Sequence, residues 1–254
     1  TTSAWGAPRS AADACWPGAS PKPSKMQQSR SEAMRRHDLV YLHTAATFTS
    51  ACAAEGSGLA DEVRAWTALG RPLVMARQAG GHGVQLGLTL PLRMGRQRLA
   101  IQAAREEIAA VLPPVRIQRC LERLPVSSAK AMADLATAVA DCGATIGIFG
   151  SLAWEVLTGE DYRNADSDID VICDVKTQAQ FKAVMAALGE TAGGLHCRLD
   201  GEVRMPDGLA VSWRELAGLS AKPDARLLVK GPESVGLMSF AELTVSLQAE
   251  VMHA

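Results

Sequence analysis

The sequence predicts an α+β fold, a mixed sheet with flanking helices plus a smaller N-terminal α/β domain. Three observations carry this expectation. Apolar residues recur at helical spacing in some segments and as short strand-like runs in others. In the second half these segments follow the order helix, strand, turn, helix, strand, helix, hairpin. The chain, at 254 residues, is long enough for one large or two modest domains with a real core.

Residues 1–33 are dominated by Ala, Ser, Pro and Gly without periodicity, which predicts a disordered extension. Residues 34–124 are expected to form the N-terminal α/β domain, entered through Arg36-His37-Asp38-Leu39-Val40-Tyr41-Leu42. Leu59, Val63 and Trp66 predict a helix over Leu59–Leu69. Pro72–Arg77 and Val84–Leu88 read as two strands of a hairpin around Gly80-Gly81-His82-Gly83. A helix is expected over Leu99–Ala110, stopped by Pro113-Pro114.

Residues 125–254 form the second predicted domain. Met132, Leu135, Ala136 and Val139 stand at i, i+3, i+4 and i+7, one face of a helix that Gly143 ends. Strand Thr145–Phe149, a Gly-Ser turn, a short helix over Leu152–Leu157, a polar loop and strand Asp168–Cys173 follow. Phe181, Val184, Met185 and Leu188 mark the next helix. Leu195–Val203 and Leu209–Trp213 read as strands joined by Pro206-Asp207-Gly208. A strand over Arg226–Val229 and a closing helix over Phe240–Met252 complete the reading.

Composition excludes several classes. A formal net charge of −1 gives no reason to expect general affinity for nucleic acid. No apolar run approaches the roughly 20 residues of a membrane span. Cys15, Cys52, Cys120, Cys142, Cys173 and Cys197 show neither C-x-x-C nor framework spacing. Reduced thiols in a cytoplasmic protein are therefore expected, and the N-terminus lacks the layout of a secretory signal.

The chemistry concentrates in two segments. Ile146-Gly147-Ile148-Phe149-Gly150-Ser151 reads as a buried strand ending in a Gly-Ser turn. Ser167-Asp168-Ile169-Asp170-Val171-Ile172 reads as a strand with two carboxylates on one side, because strand side chains alternate between faces. Adjacent carboxylates repel unless a cation lies between them, and an all-oxygen set suits Mg²⁺. Gly150 and Ser151 offer amide and hydroxyl groups to a phosphate. Together these parts predict a nucleotidyltransferase-like fold and metal-assisted phosphoryl or nucleotidyl transfer, with Asp168 and Asp170 as metal ligands. A third carboxylate to activate the attacking hydroxyl would be Asp200 or Glu202, with Glu202 slightly preferred because Asp200-Gly201 could simply make a bend. Arg93, Arg96 and Arg98 belong to an arginine-rich stretch and are candidates for contacting donor phosphates or an acidic partner, as is Lys230 at a strand end. Trp154 and Trp213 read as core residues. His37 beside Asp38 reads as a structural pair.

Gly150-Ser151-Leu152-Ala153-Trp154-Glu155, Leu157-Thr158-Gly159, Tyr162 and Ser167-Asp168-Ile169-Asp170 resemble the phosphoribosyl-dephospho-CoA transferases of malonate decarboxylase, the MdcG family. The similarity extends through Arg36-His37-Asp38-Leu39, Leu86-Gly87-Leu88, Asp200-Gly201-Glu202-Val203, Pro206-Asp207-Gly208, Val211–Leu216 and Leu228-Val229-Lys230. The chain departs from the family pattern in its N-terminal extension and in Ile169, where leucine is usual. The resemblance implies a specific reaction. The donor would be 2′-(5″-triphosphoribosyl)-3′-dephospho-CoA and the acceptor a serine of the apo acyl-carrier protein of malonate decarboxylase, with diphosphate released. Asp168 and Asp170 match the family's paired catalytic aspartates. Two alternatives stay open on the residues alone: a Mg²⁺-dependent nucleotidyltransferase acting on a small molecule or another protein, and an inactive binding module on the same fold.

Overall fold

Residues 34–50, 58–78, 80–222 and 224–249 are described by the computed structural model. The predicted extension over 1–33 lies outside them, as do Cys15, Cys52 and the end of the predicted closing helix. Among the described residues no helix is long and apolar enough to cross a membrane.

The first half contains β1 (Leu39–Leu42), β2 (Phe48–Ser50), α1 (Gly58–Ala68), β3 (Leu73–Met75), β4 (Val84–Thr89), β5 (Arg98–Ala103) and β6 (Ile108–Leu112). The strands form an antiparallel sheet in the order β2-β5-β4-β3-β1-β6. The hairpin expected around Gly80–Gly83 is β3–β4. The helix expected over Leu99–Ala110 is instead β5, a 3₁₀ turn at Arg105–Glu107, and β6. Its alanines favour a helix locally, but Leu99, Ile101 and Ala103 are buried at every second position. Six-residue pairing with β4 uses that period of two, and tertiary pairing outweighs helix propensity of a few tenths of a kcal/mol per residue.

The second half contains α2 (Val126–Asp141), β7 (Thr145–Phe149), α3 (Gly150–Thr158), β8 (Ile169–Asp174), α4 (Gln178–Gly194) and β9 (Leu199–Arg204). β10 (Ala210–Ser212), α5 (Trp213–Gly218), β11 (Leu227–Lys230), β12 (Val235–Met238), α6 (Phe240–Leu243) and α7 (Val245–Ala249) follow. The sheet order is β12-β11-β10-β9-β8-β7. β8 and β9 are parallel and the other pairs antiparallel, so the sheet is mixed as expected. α4 reaches Gly194, so β9 begins later than the expected Leu195. Trp213 opens α5 rather than closing a strand, and it is buried as expected. β12 carries no pattern that marks it in the sequence. The closing helix breaks at Thr244 into α6 and α7.

The apolar stripe of α2 packs with α4 over one face of this sheet, against Ile169, Val171 and Cys173 of β8 and Leu199 and Val203 of β9. A Thr177 N-cap, which accepts from the Gln180 amide at 3.2 Å, starts α4. The opposite face carries the charged residues.

The loop after α3 is fastened to both halves. Buried Glu155 accepts from the amides of Tyr162 (3.1 Å) and Arg163 (2.9 Å) and from Arg163 Nε (2.7 Å). Trp154 stacks on Tyr162 and meets Trp66 of α1 edge-on, extending the first core into the second half. The Trp-Glu and Thr-Gly residues that fill the span between Ser151 and Asp168 thus fix the loop that delivers Asp168.

Candidate active site

β8 and β9 pair in unbroken register from Ile169–Leu199 to Asp174–Arg204. Even-numbered residues on both strands face away from the helices, so the register sets them side by side. Asp170 lies opposite Asp200, Ile172 opposite Glu202, and Asp174 opposite Arg204. Just before the paired segment, the Ile169 amide donates to the Arg198 carbonyl at 2.9 Å, which brings Arg198 beside Asp168. The two end rungs are therefore ion pairs. Arg204, 2% exposed, donates to both Asp174 oxygens at 2.5 and 3.0 Å. Arg198 Nη2 lies 3.1 Å from Asp200 Oδ2, and its Nε 4.0 Å from Asp168 Oδ2.

The rung between them sets two carboxylates opposite each other, an arrangement that costs stability. Burial, then the charges of Asp200 and Asp168, push the Asp170 carboxyl up to about 6 against the pull of Arg98. The structure thus brings Asp168, Asp170, Asp200 and the charge of Arg98 to one place. Oxygen-only donors carrying uncompensated negative charge fit Mg²⁺, which commonly takes one or two carboxylates and completes its shell with phosphate and water. Among the described residues no three such side chains converge closely enough to enclose a metal by themselves. The fit is therefore to a shared site, in which Asp168 and Asp170 are the side chains that would hold the ion.

Groups suited to phosphate stand directly alongside. β7 pairs with β8 so that Phe149 lies opposite Asp170, and the chain turns into α3 at Gly150 with φ of 69°. A Cβ at Gly150 would strike the Asp170 carboxylate. Half-buried Ser151 follows, and the first amides of α3 have no partner within the helix, a disposition that suits phosphate. Gly150→Ala is expected to lower turnover by about 100-fold by displacing Asp170, and to cost roughly 1–2 kcal/mol through left-handed strain. Steady-state kinetics and urea unfolding check this, and wild-type turnover would mean that Gly150 does not shape the cleft.

Glu202 is 5% exposed and engaged by three side chains. Arg36 reaches both of its oxygens at 3.2 and 3.3 Å, Lys230 Nζ donates to Oε1 at 2.8 Å, and His37 Nε2 lies 3.3 Å from Oε2. Burial alone would raise the Glu202 carboxyl. The bond with His37 and the charges around it outweigh burial and hold it far below the usual carboxylate range. His37 has φ of 71° and stacks on Phe149 at 3.9 Å between ring centres. Its pKa is lowered by burial, against the opposing pull of Glu202. Asp38 instead accepts from the Arg35 amide at 2.8 Å, so His37 belongs with Glu202 rather than with its sequence neighbour.

Of the two carboxylates weighed as the third, Asp200 adjoins Asp170 and Glu202 anchors cations. Lys230 is held by Glu202. Arg93 is bound to Glu160 at 2.6 Å, an acceptor shared with Arg71 at 2.9 Å. Arg96 is exposed on the turn before β5 with φ of 52°. Arg198 and Arg204 are not among the residues singled out from the sequence. Their signal was present: Arg198, Asp200, Glu202 and Arg204 are charged at every second position, which on a strand means one face.

Two family models match the chain. The phosphoribosyl-dephospho-CoA transferase MdcG N-terminal domain matches residues 35–114, and the MdcG C-terminal domain matches residues 115–241. A phosphoribosyl-dephospho-CoA transferase of Xanthomonas axonopodis pv. citri (strain 306) is 34% identical over 202 residues, covering 76% of this chain and 93% of the relative. One of Xanthomonas euvesicatoria pv. vesicatoria (strain 85-10) is 33% identical over 211 residues, covering 82% and 95%. A third, from Bradyrhizobium diazoefficiens, is 31% identical over 206 residues, covering 80% and 89%. No solved structure matches the chain significantly.

Proposed function

Because the chain belongs to the phosphoribosyl-dephospho-CoA transferase MdcG family and is a transferase, we propose that it charges the apo acyl-carrier protein of malonate decarboxylase. The donor is triphosphoribosyl-dephospho-CoA and the acceptor is a serine of the carrier. The serine oxygen attacks the phosphorus nearest the ribose, the bond to the bridging oxygen breaks, and diphosphate leaves with the electron pair. The observation that carries this reading is the like-charged Asp170–Asp200 rung closed against Gly150.

Magnesium at Asp168 and Asp170 would supply positive charge to the donor phosphates. The remaining roles fall to the chain itself. The α3 amides and Ser151 cradle the departing diphosphate. Arg98, exposed and near enough to act on Asp170, meets a phosphate oxygen. Asp200 accepts the serine proton, since its neighbour Glu202 is committed to Arg36, His37 and Lys230. Glu202 positions Arg36 and Lys230 along the cleft. The reading places the enzyme in the cytoplasm, with neither nucleic acid nor membrane among its partners.

Incubation of the chain with apo carrier, triphosphoribosyl-dephospho-CoA and Mg²⁺ tests the proposal by intact mass. The expected result is a carrier heavier by one phosphoribosyl-dephospho-CoA group, with diphosphate in equal amount. No gain at saturating donor would overturn it. Labelling from ATP alone would point to nucleotidyl transfer instead.

A further inference from the structure

The two arginines that end the charged ladder are built differently. Arg204 is sealed in: it binds both Asp174 oxygens and donates through Nη1 to the Arg36 carbonyl at 2.7 Å. Arg198 is loose, with a side chain 56% exposed, one nitrogen 3.1 Å from Asp200 and another 4.0 Å from Asp168. An exposed pair of this kind is weak, because water solvates both partners. Arg198 nevertheless sits between two of the three carboxylates of the cleft, where it is the nearest positive charge to Asp200 and leans on a ligand assigned to the metal.

A divalent ion competes for those oxygens with twice the charge and would repel the guanidinium. Once released, the planar fork is suited to bidentate binding of a phosphate, and the first amides of α3 mark where phosphate would lie. We propose that Arg198 is the counter-ion of these carboxylates before a cation binds. It gives up Asp168 and Asp200 when the carboxylates take their cation, and moves to a phosphate oxygen of the donor. This rests on the metal assignment above. It links the two ligands in order, since uptake of the cation frees the side chain that grips the polyphosphate.

The test uses the full chain, Mn²⁺ and inorganic tripolyphosphate. Free Mn²⁺ is followed by electron paramagnetic resonance and polyphosphate binding by calorimetry. Arg198→Gln is expected to bind Mn²⁺ roughly fivefold more tightly without polyphosphate, since an exposed ion pair no longer competes. With Mn²⁺ saturating, its affinity for tripolyphosphate is expected to fall about tenfold, through loss of a charge-assisted contact. The Arg198 side chain is exposed, and an unchanged thermal midpoint verifies that the variant folds. Arg105→Gln, equal in charge change and exposed elsewhere, should alter neither quantity.

Equal Mn²⁺ affinity in wild type and Arg198→Gln overturns the inference alone. Weaker Mn²⁺ binding in the variant, unchanged polyphosphate affinity, or the same shifts in Arg105→Gln also overturn it. Absence of Mn²⁺ uptake by both wild type and Arg198→Gln would remove the metal assignment with it.

Discussion

Asp170→Asn is expected to cut carrier charging by about 1,000-fold or more while making the metal-free protein more stable. The loss of turnover follows from removing a proposed metal ligand, since preorganised electrostatics supply much of the rate of such transfers. The gain in stability follows from the pKa. An aspartate in the unfolded chain releases its proton near pH 4, whereas folded Asp170 holds it to about pH 6. Between these values the folded state binds more protons, so stability falls as pH rises through the window. Above pH 6 the loss is complete, up to about 3 kcal/mol. Asparagine does not titrate, so the variant should lack this slope and exceed wild type at pH 7.5 by roughly 1–3 kcal/mol. Urea unfolding of both proteins in chelator, at pH 5 and pH 7.5, measures it. Equal stability at the two pH values in wild type would mean that Asp170 carries no strain from its neighbours. The same titration predicts that the apparent affinity of the metal-free protein for a divalent cation rises with pH through about 6, as Asp170 ionises.

Glu202→Gln should act on the fold before the chemistry. The substitution keeps the shape and removes the charge that Arg36, His37 and Lys230 share. Breaking a buried pair strands its partner without compensation, a loss of about 3 kcal/mol here given the partial exposure of Lys230. The sign with pH is opposite to that of Asp170. Because the folded carboxyl is depressed, its contribution is fully present above the ordinary carboxylate range and is lost as pH falls through the folded value. The wild-type advantage should therefore be intact from pH 5 to pH 8. A loss below 1 kcal/mol in denaturant would argue that the cluster is ornamental. If Glu202→Gln retains turnover in its folded fraction while Asp200→Asn does not, proton acceptance belongs to Asp200.

The parts legible in the sequence are local. Alternation along Asp168-Ile169-Asp170 places both carboxylates on one face whatever else the chain does, and a Gly-Ser pair after an apolar strand marks a turn into a helix. The stripes of α2 and α4 report their burial for the same reason. What stayed hidden depends on pairing. No residue near Asp170 announces that β8 runs parallel to β9, so the choice between Asp200 and Glu202 had no local basis. Gly201, beside Asp200, could locally make a bend. It is a point of close approach, where a Cβ would strike the Val171 backbone. The Ala-rich run over Leu99–Ala110 misled because helix propensity is carried by neighbours in sequence, whereas the edge it completes on β4 is supplied from elsewhere. His37 failed similarly: its sequence neighbour Asp38 was at hand, while Glu202 lies 165 positions away.

The Arg36–His37 grip on Glu202 bears on how far this enzyme is modular. The border between the two matched regions, at residues 114 and 115, is a seam in the polypeptide but not in the energetics. A C-terminal fragment cut there would leave Glu202 with Lys230 but without Arg36 and His37, and Arg204 without the Arg36 carbonyl. Transplanting either half alone would therefore cost the other its partners in this cluster.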